Sequence, residues 1–234
     1  MNKFCVVTGG TKGIGKAIIG KFASQGFDIV TCARSLDDLS ILAKTISKQY
    51  GVAVHTCQAD MSDKTQVANF AAFVLGLQRP VDVLINNAGY FIPGKVIDEQ
   101  EGALESMINT NLYSAYRVTR GLIENMKEKR SGHIFNICSI ASIMAYPNGG
   151  SYTISKFAML GFSKVLREEL KPWGIRVSSI LPGATFTASW EGADLPEDRL
   201  MKAEDVAEAV YAAYSLSGRS VVEEILIRPL LGDL

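Results

Sequence analysis

Two residues in the stretch SYTISKF, Ser151 to Phe157, have side chains able to move or tune a proton. Tyr152 and Lys156 stand four apart, so on a helix they lie one turn apart on the same face. A free tyrosine has a pKa near 10, about three units too high for a ready base at neutral pH. An ammonium one turn away stabilises the phenolate and lowers that value. Two readings are open here: polar residues on the outside of a helix, or a proton donor with the cation that tunes it. The spacing does not decide between them, since Tyr113 with Arg117 and Tyr116 with Arg120 repeat it.

A second segment offers backbone rather than side chains. TGGTKGIG, Thr8 to Gly15, carries Gly9, Gly13 and Gly15, with Thr11, Lys12 and Ile14 among them. Such glycines let a chain turn tightly and approach a pyrophosphate at a helix N-terminus, where free N–H groups and the dipole favour anions. The spacing GxxxGxG differs from the commoner GxGxxG, and its alternative is a plain strand-to-helix connection. Its place in the first strand–helix unit favours a dinucleotide site. The tip of the second strand bears on which dinucleotide. An NAD site wants an acidic residue there for the ribose hydroxyl. This chain has Ala33 and then Arg34, and Lys12 adds a second cation. A guanidinium grips a 2′-phosphate with two parallel hydrogen bonds, whereas a carboxylate repels it. The expectation is NADP(H) over NAD(H), against the alternative of two solvated surface cations.

A scaffold must hold these residues, and short apolar runs alternate with helix-like segments throughout. Strands are expected at 4–8, 28–34, 52–58, 82–88, 133–139, 176–182 and in EEILIRP, 223–229. Helices are expected at about 12–25, after a cap at Ser35 or Asp37, and after a cap at Ser62. Further helices are expected at about 102–130, with a break or bend near Asn109–Asn111, at 152–170 and at 203–217. The strands are nearly continuous in Val, Ile and Ala, as in strands covered on both faces. Alternating units then mean a parallel, doubly wound α/β sheet. With no linker, repeat or low-complexity break, residues 1–234 are expected to form one domain.

The composition limits the partners. Hydrophobic residues make up 47% and charged ones 21%, which rules out wholesale disorder. The 24 basic and 24 acidic residues cancel, which argues against a nucleic-acid partner, since that needs a basic surplus. Apolar stretches such as Phe70 to Leu77 fall short of the roughly 18–20 residues of a membrane-crossing helix. MNKFCVVTGG has too short an apolar run for a signal peptide and reads as a first strand, which implies a cytoplasmic protein. Cys5, Cys32, Cys57 and Cys138 are scattered, form no CxxC pair and read as reduced core thiols, so no metal site is expected.

Further features fall in order: NNAG (Asn86–Gly89) at the end of the fourth strand, Asn111 in the next helical region, Ser139 at the end of the fifth strand, then Tyr152 and Lys156. With TGGTKGIG, this set resembles the short-chain dehydrogenase/reductase family along about the whole chain, through LPGATFT (Leu181–Thr187) to the last strand. Ser139 and Tyr152 are 13 apart, as the family pattern requires. The resemblance implies a Rossmann fold whose seven strands lie in the order 3-2-1-4-5-6-7. It implies NADP(H)-dependent reduction of a carbonyl, with Tyr152 as general acid, or base in the reverse direction. Lys156 would hold the nicotinamide ribose and favour the phenolate, Ser139 would bond the substrate oxygen, and Asn111 would keep a water in a proton relay. Asp60 matches the family's adenine contact, with the Met61 backbone beside it, and Asn87, Ala88 and Gly89 would flank the adenosine ribose. Pro182, Gly183, Thr185 and Thr187 match the segment that orients the carboxamide. Hydroxyls on a carbonyl oxygen stabilise the alkoxide that forms there. Taken alone, Ser139 reads equally as a cap and Asn111 as a helix-breaking residue. Cys138 should point away from Ser139, into the core.

The tail departs from one branch of the family. Members that reduce 3-oxoacyl thioesters often end near GxxxxVDGG. VEEILIRPLLGDL looks more like the small carbonyl reductases and 3-hydroxy-acid dehydrogenases. ASWEGADLPEDRLMK, after Thr187, is short for a lid and suggests an open pocket lined by Phe91, Tyr146 and Trp190. The expected partner is a small-molecule carbonyl or alcohol, with 3-oxoacyl-carrier-protein reduction as the alternative. A non-catalytic NADP(H) sensor or scaffold is the rival of another class. The resemblance also implies a homodimer or homotetramer through helices at about 111–130 and 152–170. Leu112, Leu122, Phe162 and Leu166 permit that packing, and core burial explains them equally well.

Overall fold

The computed structural model describes residues 1–187 and 196–232. Seven strands form one sheet: β1 (Phe4–Thr8), β2 (Asp28–Ala33), β3 (Val54–Gln58), β4 (Val83–Asn86), β5 (Gly132–Ile137), β6 (Ile175–Pro182) and β7 (Glu224–Ile227). Their order is β3-β2-β1-β4-β5-β6-β7, with every pair parallel, as expected. The order reverses between β1 and β4. Crevices at the carboxyl ends of strands beside such a reversal are where open α/β sheets take ligands.

Among the described residues, seven α-helices connect the strands: α1 (Gly13–Ser24), α2 (Leu36–Tyr50), α3 (Lys64–Gly76), α4 (Ala103–Ile108), α5 (Ser114–Lys129), α6 (Gly150–Leu170) and α7 (Ala203–Ser215). Strand side chains alternate between faces. Cys5 and Val7 therefore join Ile18, Phe22, Leu42 and Val210 on the side of α1, α2 and α7. Phe4 and Val6 join Phe70, Leu122 and Leu166 on the side of α3, α5 and α6. All five residues of β1 are buried, which is why the central strand runs apolar from Phe4 to Val7.

The edges differ. β3 is mostly half-buried and β7 alternates exposed with half-buried positions, because each has one strand neighbour. Cys57 is accordingly half-buried and is not the core thiol expected; Cys5, Cys32 and Cys138 are buried. Ser35 caps α2, accepting the Asp38 N–H at 3.1 Å. Asp63, not Ser62, caps α3: its carboxylate accepts the Gln66 N–H at 2.8 Å, while the Ser62 hydroxyl turns back to Asp60 at 2.8 Å. The break near Asn109–Asn111 is a π-helical turn, Asn109–Tyr113, inserted between α4 and α5. Of the apolar residues named for subunit packing, Leu122 and Leu166 are core, and Leu112 and Phe162 are half-buried against it. Among the described residues, no helix is long and apolar enough to cross a membrane.

Candidate active site

The connection from β1 to α1 is fastened to the end of β4. The Thr8 hydroxyl accepts the N–H groups of Asn87 and Ala88, each at 3.0 Å. The Asn87 side-chain amide donates back to the carbonyls of Thr8 (3.0 Å) and Gly9 (2.9 Å). A Cβ at Gly15 would overlap that amide and the Gly9 carbonyl, so glycine is required for this approach. Asn87 is therefore committed to shaping the loop. α1 opens with no side-chain cap and no acidic residue in its first turn, leaving its N–H groups for an anion. Thr11 and Ile14 are half-buried along the turn. A Cβ at Gly13 would lie 3.0 Å from Thr187 Cγ2, so the loop and the segment after β6 meet. Residues of this kind fit a dinucleotide pyrophosphate.

Lys12 and Arg34 are both exposed at this end of the sheet. Asp60, at the end of β3, is held below the usual carboxylate range by the Ser62 N–H, aided by the Ser62 hydroxyl and by Arg34, and opposed by burial. The Met61 side chain packs into the core. After β6, Gly183 N–H donates to Ile227 O at 2.8 Å, and the Thr185 hydroxyl donates to Gly183 O at 3.0 Å. Pro182 and Thr185 are buried, and Thr185 shapes its own turn.

Ser139 follows β5 in an extended conformation and caps a short 3-10 turn, Ile140–Ser142. Its Oγ accepts the Ala141 N–H at 3.1 Å, and its hydroxyl draws the Tyr152 proton affinity down. The cap reading of this serine holds as geometry. Tyr152 stands in the first turn of α6, where the Phe91 ring meets it edge-on at 4.9 Å. Tyr146 lies 6.5 Å from Phe91, so two of the three aromatics expected at the pocket gather beside Tyr152. Trp190 lies outside the described residues. The Lys156 ammonium sits 5.7 Å from the Tyr152 ring centroid, donates to Ile137 O at 2.9 Å, and is buried.

Burial sets the proton affinities here. It pushes the Tyr152 phenol above its ordinary value, with the Ser139 hydroxyl pulling down and the Cys138 thiol adding to the rise. Lys156 is lowered by burial, with Cys138 opposing. A neighbouring ammonium was expected to lower the phenol, but loss of solvation is the largest influence and leaves it raised. Cys138 lies in the core against Ala115, Met159 and Leu181, and burial raises its thiol to about 11.

Asn111 is buried on the π-helical turn, and its amide is spent on structure. Oδ1 accepts the Tyr90 N–H at 2.9 Å; Nδ2 donates to Tyr90 O at 3.0 Å and to Ser155 Oγ at 2.9 Å. Ser155 in turn donates to Tyr152 O at 2.7 Å. This serine was not singled out in the sequence, although it lies three residues after Tyr152 on the same face. A buried ladder was also missed: Asn86 donates to Thr119 (3.0 Å) and Asn136 (2.8 Å), Asn136 to Ser163 (3.0 Å), and Ser179 to Ser163 (2.7 Å). It ties β4, β5 and β6 to α5 and α6 behind the site.

Residues 3–197 match the short chain dehydrogenase family. The chain is a member of that family. This short-chain dehydrogenase is 33% identical to a sepiapterin reductase of Chlorobaculum tepidum, over all of this chain and 99% of the relative. It superposes on an alcohol dehydrogenase from the archaeon Thermococcus sibiricus, complexed with 5-hydroxy-NADP, with a TM-score of 0.93. That pair is 28% identical and covers 100% and 99% of the two chains. L-sorbose reductase from Gluconobacter frateurii, complexed with NADPH and L-sorbose, gives a TM-score of 0.88 at 26% identity, covering 97% of this chain and 95% of that one. The dinucleotide expected from Lys12 and Arg34 is the kind these neighbours hold. As a short-chain dehydrogenase the protein is an oxidoreductase, and its sheet order is the one its motifs implied.

Proposed function

We propose that this short-chain dehydrogenase reduces a small ketone or aldehyde at the expense of NADPH, as one catalytic unit over residues 1–234. The observation that carries the reading is the buried Lys156 ammonium 5.7 Å from the Tyr152 ring, with the Ser139 hydroxyl drawing the phenol's proton affinity down. Gly9, Thr11, Lys12, Gly13, Ile14 and Gly15 would cradle the pyrophosphate, and Arg34 with Lys12 would take the 2′-phosphate. Asp60 and Met61 would meet the adenine, with Asn87, Ala88 and Gly89 along the ribose. Pro182, Gly183, Thr185 and Thr187 would face the carboxamide. Bound NADPH supplies the hydride that reduces the carbonyl carbon.

This chain's own residues handle the oxygen. Ser139 and Tyr152 hold it by hydrogen bonds, and Tyr152 gives it a proton as negative charge develops. A phenol raised by burial is held protonated at neutral pH, the form a reduction uses. Lys156 supplies the compensating charge once the proton has left Tyr152, and Asn111 fixes the π-helical turn through which the proton is replenished. The protein is proposed to be cytoplasmic and to form a homodimer or homotetramer through α5 and α6, where Tyr116, Ile154, Phe157 and Val165 leave apolar surface exposed.

The test is NADPH consumption over aldehydes, ketones, diketones, sepiapterin, L-sorbose and 3-oxoacyl thioesters. Turnover of one class is expected. Wild-type protein that binds NADPH yet turns over nothing on the panel would favour a sensor.

A further inference from the structure

Glu99 lies in the connection between β4 and α4, closing a turn in which its N–H donates to Lys95 O at 2.9 Å. Its carboxylate reaches 52 positions along the chain to the first turn of α6. There Oε1 accepts the Ser151 N–H at 2.9 Å, and Oε2 accepts the Ser151 hydroxyl. α6 has Gly149 at its cap position and no acidic residue in its first turn, so Glu99 serves from outside the helix. Gly150 makes the approach possible: its φ is +27°, and a Cβ there would overlap the Glu99 carboxylate and lie 2.5 Å from Gly94 O. The same connection touches α6 and the loop before it at two more points. Gly94 N–H donates to Asn148 O at 3.0 Å, and Phe91 packs edge-on against Tyr152.

We propose that Glu99 is a positioning residue for Tyr152. By holding Ser151 it seats the first turn of α6 against the β4–α4 connection, so that the phenol keeps its place against Phe91. The inference rests on the reading of Tyr152 as proton donor. A carboxylate bonded to N–H groups at a helix start is charge-assisted and matches the helix dipole. Misplacing a reacting group by about 1 Å costs on the order of a hundredfold in rate.

The test compares wild type, Glu99→Ala and Glu99→Gln in NADPH turnover and in amide exchange. Glu99→Ala is expected to lower kcat by about tenfold to a hundredfold. The dissociation constant for NADPH should stay within about twofold, the change expected when a lost contact acts only in the transition state. Exchange at Ser151, Tyr152 and Thr153 is expected to speed up while β1 and β5 keep their protection. Glu99→Gln keeps an acceptor for one of the two Ser151 donors and is expected to fall between, so it carries the test if the alanine variant does not fold. A kcat equal to wild type, or unchanged exchange in that turn, overturns the proposal. If the wild type itself reduces no carbonyl, the reading of Tyr152 is what fails, and exchange alone decides whether Glu99 seats α6.

Discussion

Three tyrosine–cation pairs share one spacing, two along α5 and the π-helical turn before it and one on α6, in opposite circumstances. On α5, the Arg120 guanidinium lies 5.4 Å from the Tyr116 ring and donates to its hydroxyl at 3.1 Å. Arg117 likewise covers Tyr113 at 5.0 Å. Both tyrosines are about two-fifths exposed, at 43% for Tyr113 and 39% for Tyr116. On α6, Lys156 is 6% exposed and its ammonium is held by a backbone carbonyl. An exposed cation over a ring contributes about 0.5–1 kcal/mol and leaves the phenol to water. A buried one faces a phenol whose proton affinity the protein controls. Spacing selects the face of a helix, and burial with a third partner, here Ser139, selects the chemistry.

The strongest way to break this comparison is to remove the two hydroxyls in turn. Tyr152→Phe is expected to lower kcat by about a thousandfold with NADPH affinity largely kept, the scale of a lost proton donor. Steady-state turnover beside a binding titration checks it, and an active Tyr152→Phe would sink the mechanism. Ser139→Ala is expected to cost about a hundredfold, since it removes one donor to the developing charge. It also removes the hydroxyl that pulls the Tyr152 phenol down. Alcohol oxidation, which needs the phenolate, should rise with pH toward the alkaline side, and its limb should move to higher pH in Ser139→Ala. Carbonyl reduction should stay level through neutral pH, because the raised phenol keeps its proton there. A profile for oxidation that is flat with pH would contradict the assignment.

Smaller effects sharpen the picture. Arg34→Ala is expected to narrow the NADPH-over-NADH preference in kcat/KM by about tenfold or more, as loss of a charge-assisted grip on a phosphate implies. Unchanged preference would return Arg34 to the solvated surface. Tyr116→Phe and Arg120→Gln should leave kcat within about twofold of wild type, and their stability within roughly 0.5 kcal/mol, since both groups are exposed. A large loss of turnover in either would mean that α5 carries more than the comparison allows.

The apolar runs made the sheet legible, because a strand covered on both faces lacks the polar alternation of a half-exposed one, as in Phe4–Val7 of β1. At the edges that logic weakens, and Cys57 sits half-buried where a core thiol was expected. The start of α3 was ambiguous by one residue because Ser62 and Asp63 can each cap, and the path of the backbone chooses between them. Tyr152, Lys156 and Ser139 were legible from an ordered set of spacings. Ser155 and Glu99 were not: Ser155 reaches Asn111 across 44 positions, and Glu99 reaches Ser151 across 52. Asn111 was legible as a position, but its amide proved to bind Tyr90 and Ser155 rather than standing free in the crevice.

The π-helical turn at Asn109–Tyr113 has a consequence for which changes of length this chain accepts. Such a turn holds one residue more than the α-helix around it. Deleting that residue would let 103–129 run as a single regular helix, with more conventional bonding. It would also rotate one half against the other by about 100° and carry Asn111 away from Tyr90 and Ser155. Selection for stability alone would favour the shorter chain, and selection for turnover would keep the irregular one.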